Sequence, residues 1–353
     1  MYRYLIRPIF FLFPPETIHH ALIRILKVFF GIPGVPQVVR SIYKVRDSLL
    51  KIDFLGLDFE NPVGLSAGFD KNGEVFNQFS DFGFSHIEVG TVTPKGQPGN
   101  PQPRSFRIPK DKGLINRMGF NNEGVEALLT RVKGKQRKGL ILGGNIGKNT
   151  LTPNKNAVED YEKCFQTLYG NVDYFVVNVS CPNISDLHEL QDQDGLEAIL
   201  SRLAAHRATQ SIYTPILLKI SPDLNNSQID TSLDIVKKYG IDGIVATNTT
   251  IRRDGLNTPI DKVRSIGNGG MSGSPLTKRS LEVVRYVHEK TEGNLPIIGV
   301  GGIMTVQDAL NMLDAGAKLI QIYTGFIYNG PAFVRKINKA ILQQKKSASS
   351  IAP

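Results

Sequence analysis

The sequence predicts an α/β protein, a (β/α)8 barrel carrying a small helical extension at its amino terminus. Three observations lead there. From Asn61 onward, short apolar, β-rich runs recur eight times: Val63–Ala67, His86–Gly90, Leu140–Asn145, Tyr174–Ser180, Ile216–Ser221, Gly243–Asn248, Ile297–Gly302 and Leu319–Tyr323. Such runs suit strands buried in a parallel sheet. Helical patterns lie between most of them, over Asn121–Val132, Ala157–Leu168, Leu196–Arg207, Ser227–Tyr239, Thr277–Lys290 and Val306–Ala315. Finally, residues 61–344 provide about the length one such barrel needs. A doubly wound sheet is the alternative, but no G-x-G-x-x-G opens a helix after the first strand.

Composition narrows the class. The 353 residues are 41% hydrophobic and 21% charged, which suits a soluble protein with one large core or two smaller ones. The two cysteines, Cys164 and Cys181, form no C-x-x-C pair, so a disulfide framework or a structural zinc site is not expected. The formal charge of +10 would suit nucleic acid, an anionic membrane surface or anionic ligands. The basic residues are spread along the whole chain, so the charge alone does not choose among these. The apolar run Ile9–Phe13 is far too short to span a bilayer, and Pro14-Pro15 follows it without a small-residue cleavage site.

Residues 1–34 differ in character from the rest. Met1 to Phe13 mixes aromatic and aliphatic residues with Arg3 and Arg7. Pro14-Pro15-Glu16-Thr17 starts a helix with proline in its first turn. Ile18, Ala21, Leu22, Ile25, Leu26 and Phe29 then recur at helical spacing, and Gly31 and Pro33-Gly34 stop the helix. Five Phe and two Tyr in so short a segment fit helices lying in a membrane interface, with basic residues toward anionic headgroups. Packing on the chain's own core is the alternative. Residues 35–60 read as a linker followed by a β-hairpin turning at Gly56. The long insert from Thr91 to Arg137 must cross the top of the barrel. The tail 345–353, rich in Ser and Lys, reads as disordered.

A barrel of this type collects its chemistry at the carboxyl ends of its strands. Those ends supply Ser66 to Lys71, Gly90-Thr91, Asn145 with Lys148-Asn149, Asn178 to Asn183, Lys219, Thr247-Asn248-Thr249, Gly301-Gly302 and Tyr323-Thr324, and the insert adds Asn116 to Asn122. The ring is rich in Asn, Thr, Gly and Lys. It shows neither paired carboxylates for glycoside hydrolysis nor a His/carboxylate cluster for a catalytic metal. Amides and hydroxyls suit flat ligands held at their edges, such as a flavin and a planar heterocycle. Glycines after the seventh and eighth strands, with Gly273, could cradle a phosphate. Lys219 ends an apolar strand, which leaves two readings: an ion pair inside the barrel, or a cation beside a flavin's pyrimidine edge. Cys181 is the candidate base, since a thiol ionises near pH 8.5 and needs modest help to act at neutral pH. Cys164, inside a helical run, reads as packing.

Asn61-Pro-Val-Gly-Leu-Ser-Ala-Gly-Phe-Asp-Lys71, Glu88-Val-Gly-Thr-Val-Thr-Pro94, Ile115-Asn-Arg-Met-Gly-Phe-Asn-Asn122, Asn145-Ile-Gly-Lys-Asn149, Ala246-Thr-Asn-Thr-Thr250 and Gly299-Val-Gly-Gly-Ile303 resemble the dihydroorotate dehydrogenase family. The likeness runs from about Met1 to Ile341. The amino-terminal helices and the Pro15-Glu16 to His19 pattern resemble class 2, the membrane-associated, quinone-dependent form.

The resemblance implies oxidation of dihydroorotate to orotate, in pyrimidine (UMP) synthesis, with FMN taking the hydride and a membrane quinone the electrons. It implies FMN binding by Ala67, Gly68, Phe69, Asp70, Lys71, Thr91, Asn145, Asn178, Lys219, Thr247, Gly273, Gly302, Tyr323 and Thr324. It implies substrate binding by Lys71, Asn116, Arg117, Met118, Gly119, Phe120, Asn178, Asn183, Asn248 and Thr249, with Cys181 removing the C5 proton. His19, Arg107 and Tyr323 match the lining of a quinone tunnel between the amino-terminal helices and the barrel. Class 2 chains usually carry Ser at the base, whereas Cys181 is the class 1 residue; soluble class 1 chains lack residues 1–34, which sides this chain with class 2. Ile184-Ser-Asp-Leu-His188 replaces the usual Thr-Pro-Gly-Leu-Arg of the substrate loop.

These readings divide the chain into 1–34, a membrane and quinone-tunnel segment; 35–60, linker and hairpin; 61–344, the FMN barrel; and 345–353, the tail. They place it peripherally on the cytoplasmic side of a bacterial inner membrane, touching anionic lipid through residues 1–34, with no nucleic-acid partner and no metal. The alternatives are a class 1-like soluble enzyme with another acceptor, a flavin enzyme acting on uracil in transfer RNA, and a non-catalytic membrane scaffold.

Overall fold

A computed structural model describes residues 2–134, 139–180 and 193–351. Eight parallel strands close into a barrel: β1 (Val63–Leu65), β2 (His86–Val92), β3 (Ile141–Ile146), β4 (Tyr174–Asn178), β5 (Ile216–Ile220), β6 (Gly243–Ala246), β7 (Ile297–Val300) and β8 (Leu319–Ile322). They pair in chain order, and β8 closes on β1 through Ile320↔Val63, Gln321↔Gly64 and Ile322↔Leu65. Each strand falls within or beside an apolar run read from the sequence. Several stop short of the polar residues that end the run, because those residues leave the ladder to line the mouth, whereas β2 and β3 run on through Thr91 and Asn145.

The outer helices are α4 (Phe76–Ser80), α5 (Val125–Val132), α6 (Ala157–Leu168), α7 (Gln193–Ala208), α8 (Asn226–Lys238), α9 (Ile260–Ile266), α10 (Thr277–Lys290), α11 (Val306–Asp314), α12 (Thr324–Asn329) and α13 (Ala332–Ile351). Asn225 begins α8 with a capping box, as does Thr305 for α11. The sheath between helices and strands is filled by residues such as Val63, Phe79, Cys164, Phe165, Ile229 and Ile337.

The barrel interior is a separate core. Tyr174, Val176, Leu217, Val245, Ile298, Val300 and Leu319 meet there with Phe54 and Phe59. Those two Phe come from the hairpin Ile52–Phe54/Leu57–Phe59, which plugs the amino-terminal end. Its turn residues Leu55 and Gly56 both have positive φ, 58° and 75°, which suits the right-handed twist of a short hairpin. Above the barrel the insert strands Ser105–Ile108 and Gly113–Asn116 form a sheet with Gly270–Gly273, which follows β6, and Lys95–Gln97 pairs with Asn122–Gly124.

Residues 7–43 add α1 (Arg7–Phe11), α2 (Pro15–Phe29) and α3 (Val35–Tyr43). The linker expected over 35–60 is thus helical in its first part: Val39 is buried, and the Tyr43 ring lies 5.5 Å from Phe82. The tail expected to be disordered from Lys345 is helical in its described part. Helix α13 continues to Ile351, anchored by buried Ile337 and Ile341 and by Lys345 Nζ donating to Leu49 O at 2.9 Å. Once a helix is anchored, each further residue adds a hydrogen bond cheaply, so a Ser/Lys composition does not end it. Among the described residues no helix is long and apolar enough to cross a membrane.

Candidate active site

A cavity of about 470 Å³ opens at the carboxyl ends of the barrel strands. That volume is within the range of cofactor and small-ligand pockets. It receives the β1 loop from Ser66 to Lys71, Thr91 near the end of β2, Asn178 and Lys219 from β4 and β5, Thr247 to Thr249 after β6, and Gly301-Gly302 and Tyr323-Thr324 after β7 and β8. Asn116, Met118, Gly119, Phe120 and Gly273 reach it from the insert and the strand paired with it. Helix α2 closes the remaining side with Ile18, His19, Leu22 and Ile23.

Under the mouth lies a polar layer. The Glu88 carboxylate, fully buried on β2, accepts from Asn145 Nδ2 and from Gln321 Nε2, both at 2.7 Å. Lys219 Nζ lies 3.6 Å from Glu88 Oε1. The ion-pair reading of Lys219 therefore holds, and Lys219 also lines the cavity. Sequence reasoning overlooked Glu88 and Gln321 as members of the site. The signal was present, since each is a polar residue in the middle of a buried apolar run. Asn145 is itself enclosed behind Thr91, whose hydroxyl donates to Asn145 Oδ1. Asn178 Nδ2 donates to Thr91 Oγ1 at 2.9 Å, and Asn248 Nδ2 donates to Asn178 Oδ1 at 3.2 Å and to Ser180 Oγ at 3.0 Å.

Lys71 Nζ donates to the Asn121 side chain, which holds its ammonium at the cavity. Asp70 has a different task. Its carboxylate accepts from the N–H groups of Glu74 and Val75, both at 2.7 Å, and so shapes the turn that leads into α4. Burial pushes its pKa up to about 6. Arg117 does not follow its neighbours into the cavity. Its guanidinium is spent on the carbonyls of Ile266, Asn268 and Pro103, and it stacks over Phe106 at 4.7 Å. Arg117, expected as a substrate contact, is thus not among the residues that line the cavity, and three N–H bonds to carbonyls make it a pin within the insert.

Glycines shape the far side. Gly302 has φ +71°, and a Cβ there would stand 2.2 Å from Thr277 Cα. At Gly273, φ +94°, a Cβ would stand 2.3 Å from Lys112 O, and at Gly325 it would stand 2.1 Å from Ile303 O. The Thr324 and Ser272 hydroxyls meet at 2.8 Å, and those of Thr247 and Ser280 at 2.8 Å. This is a backbone cradle with no room for side chains.

The α2 side is apolar and aromatic. His19 stacks edge-on with Phe69 at 5.3 Å, and Phe69 with Tyr323 at 5.1 Å. Burial, then the charges of Lys71 and His20, lower the His19 pKa to about 4. Tyr323 OH donates to Gly68 O at 3.4 Å. Arg107 donates to Phe13 O at 2.6 Å and stacks over Phe11 at 4.5 Å, so it fastens α1 as it lines the cavity. Cys181, Asn183 and the segment 184–191 lie outside the described residues. Cys164 is buried in α6, and burial pushes its thiol well above its ordinary range, which suits packing.

Fold and cavity together define a (β/α)8 barrel of the enzyme type, with a ligand-sized cavity between a polar floor, a glycine cradle and an apolar flank. The family model for dihydroorotate dehydrogenase matches residues 49–344. A dihydroorotate dehydrogenase (quinone) of Christiangramia forsetii is 51% identical over 344 residues, covering 98% of this chain and 99% of its own length. One of Rhodococcus opacus is 44% identical, covering 100% of this chain and 98% of its own. The crystal structure of Eimeria tenella DHODH in complex with ferulenol superposes with a TM-score of 0.85 at 33% identity, covering 95% of this chain and 93% of that one. The chain belongs to the dihydroorotate dehydrogenase family.

The residues present fit FMN, the family's cofactor. The cradle at Gly273, Gly302 and Thr324 suits a phosphate, because backbone can approach it closely. The floor offers Lys219 as a cation, and Gln321 Oε1 is a buried acceptor with no partner among the described residues.

Proposed function

We propose that this protein oxidises (S)-dihydroorotate to orotate in pyrimidine synthesis and passes the electrons to a membrane quinone. One observation carries the reading. A single cavity joins the amide-rich strand ends to an apolar flank built by α1 and α2, in a chain whose quinone-dependent relatives match it over nearly its whole length.

FMN, when bound, supplies the two-electron acceptor for the hydride that leaves C6 of the substrate. Its phosphate would be held by Gly273, Gly302 and Thr324, and its ring edges by Thr91, Asn178, Lys219 and Thr247, with Asn145 backing Thr91 and Ala67 to Lys71 beside it. Lys71, Asn116, Asn178, Asn183, Asn248 and Thr249 would hold the substrate carboxylate and ring amides, which fixes one face toward the base. Cys181 Sγ, as thiolate, takes the proton from C5. The thiol needs far less help to ionise than the serine usual in class 2. His19, Arg107 and Tyr323 line the way in for quinone, and a neutral His19 suits an uncharged partner.

Tyr4, Leu5, Ile9, Leu12 and Phe13 are exposed along the first helices, as are Ile25 and Val28 on α2. With Arg3 and Arg24 nearby in sequence, they make an apolar and basic face that would lie on the anionic cytoplasmic leaflet of the inner membrane. The test is spectroscopic. The purified protein is expected to be yellow, to bleach when dihydroorotate is added without oxygen, and to regain colour when a soluble quinone is added. Colourless protein, or flavin that dihydroorotate does not bleach, would reject the assignment.

A further inference from the structure

We propose that Glu88 is the positioning residue of the cavity floor: its carboxylate holds Lys219 and orients the amides of Asn145 and Gln321, and so sets the reduction potential of the FMN bound above. The inference rests on the FMN reading.

The geometry is directional. Lys219 on β5 and Glu88 on β2 are not on neighbouring strands, so the ion pair spans the inside of the barrel. A fully buried carboxylate without partners would be prohibitive, and here a cation and two amide N–H groups surround it. An amide facing a carboxylate must present nitrogen, so Glu88 fixes which way both amides point. For Gln321, Oε1 is then turned away from Glu88, where it is buried and has no partner among the described residues. For Asn145, Oδ1 is turned to accept from the Thr91 hydroxyl and from Asn178 Nδ2 at 3.5 Å. The same sense runs on from Asn178 to Thr91 and from Asn248 to Asn178. One carboxylate beneath the floor thus dictates the donor and acceptor pattern at the mouth. It also offsets the Lys219 charge in a place where solvent screens little.

The Glu88→Gln change keeps the shape but removes the counter-charge. With Lys219 uncompensated, the bound flavin should become easier to reduce. The expected shift is tenfold or more in the oxidised–reduced equilibrium, about 30 mV for a two-electron couple, read by redox titration of the purified holoprotein. Lys219→Met should move the potential downward, and in the double variant the effect of Glu88→Gln should largely vanish. A potential in Glu88→Gln that is unchanged or lower, or an equal upward shift in the Lys219→Met background, overturns the proposal. Melting of the same four proteins gives a second reading. Lys219→Met strands the carboxylate and should melt lower than wild type, and the double variant should recover part of the loss; strictly additive losses overturn the pairing. A colourless wild-type protein would instead remove the FMN reading, while the melting cycle would still decide the pair.

Discussion

Arg104 closes on Glu16 with Nη2 2.6 Å from Oε1, and its Nε reaches both carboxylate oxygens at 3.1 and 3.2 Å. The side chains are only 8% and 12% exposed. Arg104 Nη1 donates to Asn100 O at 2.9 Å, so one guanidinium ties the first turn of α2 to the insert above the barrel. Removing it by Arg104→Met should cost about 2–4 kcal/mol, between the exposed and fully buried limits for ion pairs. A lower melting temperature, with a quinone KM raised more than the dihydroorotate KM, would report a loosened α2; unchanged melting would refute the clamp.

The same pair gives an acid signature. Burial alone would raise the Glu16 carboxyl, but the hydrogen bonds and charge of Arg104 outweigh it and hold the pKa below its ordinary 4.5. The folded state then binds fewer protons than the unfolded chain below that pH. The contribution is complete above pH 4.5 and disappears as pH falls through the lower folded value. Wild type should therefore lose melting temperature more steeply below pH 4.5 than Arg104→Met does. Parallel curves would speak against it.

His19 is held at about 4 against an ordinary 6.5, first by burial and then by Lys71 and His20. Above pH 6.5 it is neutral folded or unfolded. As pH falls from 6.5 toward 4, the unfolded chain takes a proton that the folded chain refuses, so stability erodes in that window. His19→Gln should flatten the melting curve there. Nitrogen NMR of the imidazole should show a neutral ring at pH 6, and a titration near 6.5 would contradict the burial.

Cys181 should set the pH dependence of flavin reduction by dihydroorotate. In wild type the rate should rise toward a plateau with an apparent pKa at or below about 8.5, that of an ordinary thiol. Cys181→Ser should keep rising to higher pH, and Cys181→Ala should lose about 10²–10⁴-fold. Matching profiles for thiol and hydroxyl, or an active alanine variant, would assign the base elsewhere.

Gly302→Ala places a methyl group 2.2 Å from Thr277 Cα at a φ of +71°. The loop after β7 must then move, at a cost of about 2–3 kcal/mol. The variant should shed flavin on gel filtration while Gly170→Ala, whose added Cβ meets nothing within 4 Å, retains it. Equal retention by both would remove the glycine cradle from the phosphate site.

Much of this was legible in the chain because it is local. Parallel strands buried on both faces must be apolar throughout, so eight such runs separated by helical spacing indicated the barrel. Helices Ala157–Leu168 and Thr277–Lys290 fall where their periodicity puts them. The polar residues at the strand ends were conspicuous for the same reason, since they interrupt runs that have no local need for them. Helix α3 and the end of α13 were not legible, because their stability comes from Phe82, Leu49 and other partners far along the chain.

Amino-acid order by itself determined the barrel, the ring of amides, glycines and lysines at its mouth, and the family those motifs resemble. Tertiary structure alone decided that Glu88, Asn145, Lys219 and Gln321 form one network, that Arg104 holds Glu16, and that Arg117 turns away from the cavity. Those outcomes depend on closure. Only when β8 pairs with β1 do inward side chains from distant strands share one enclosed space, where a charge must find its partner or not be buried at all.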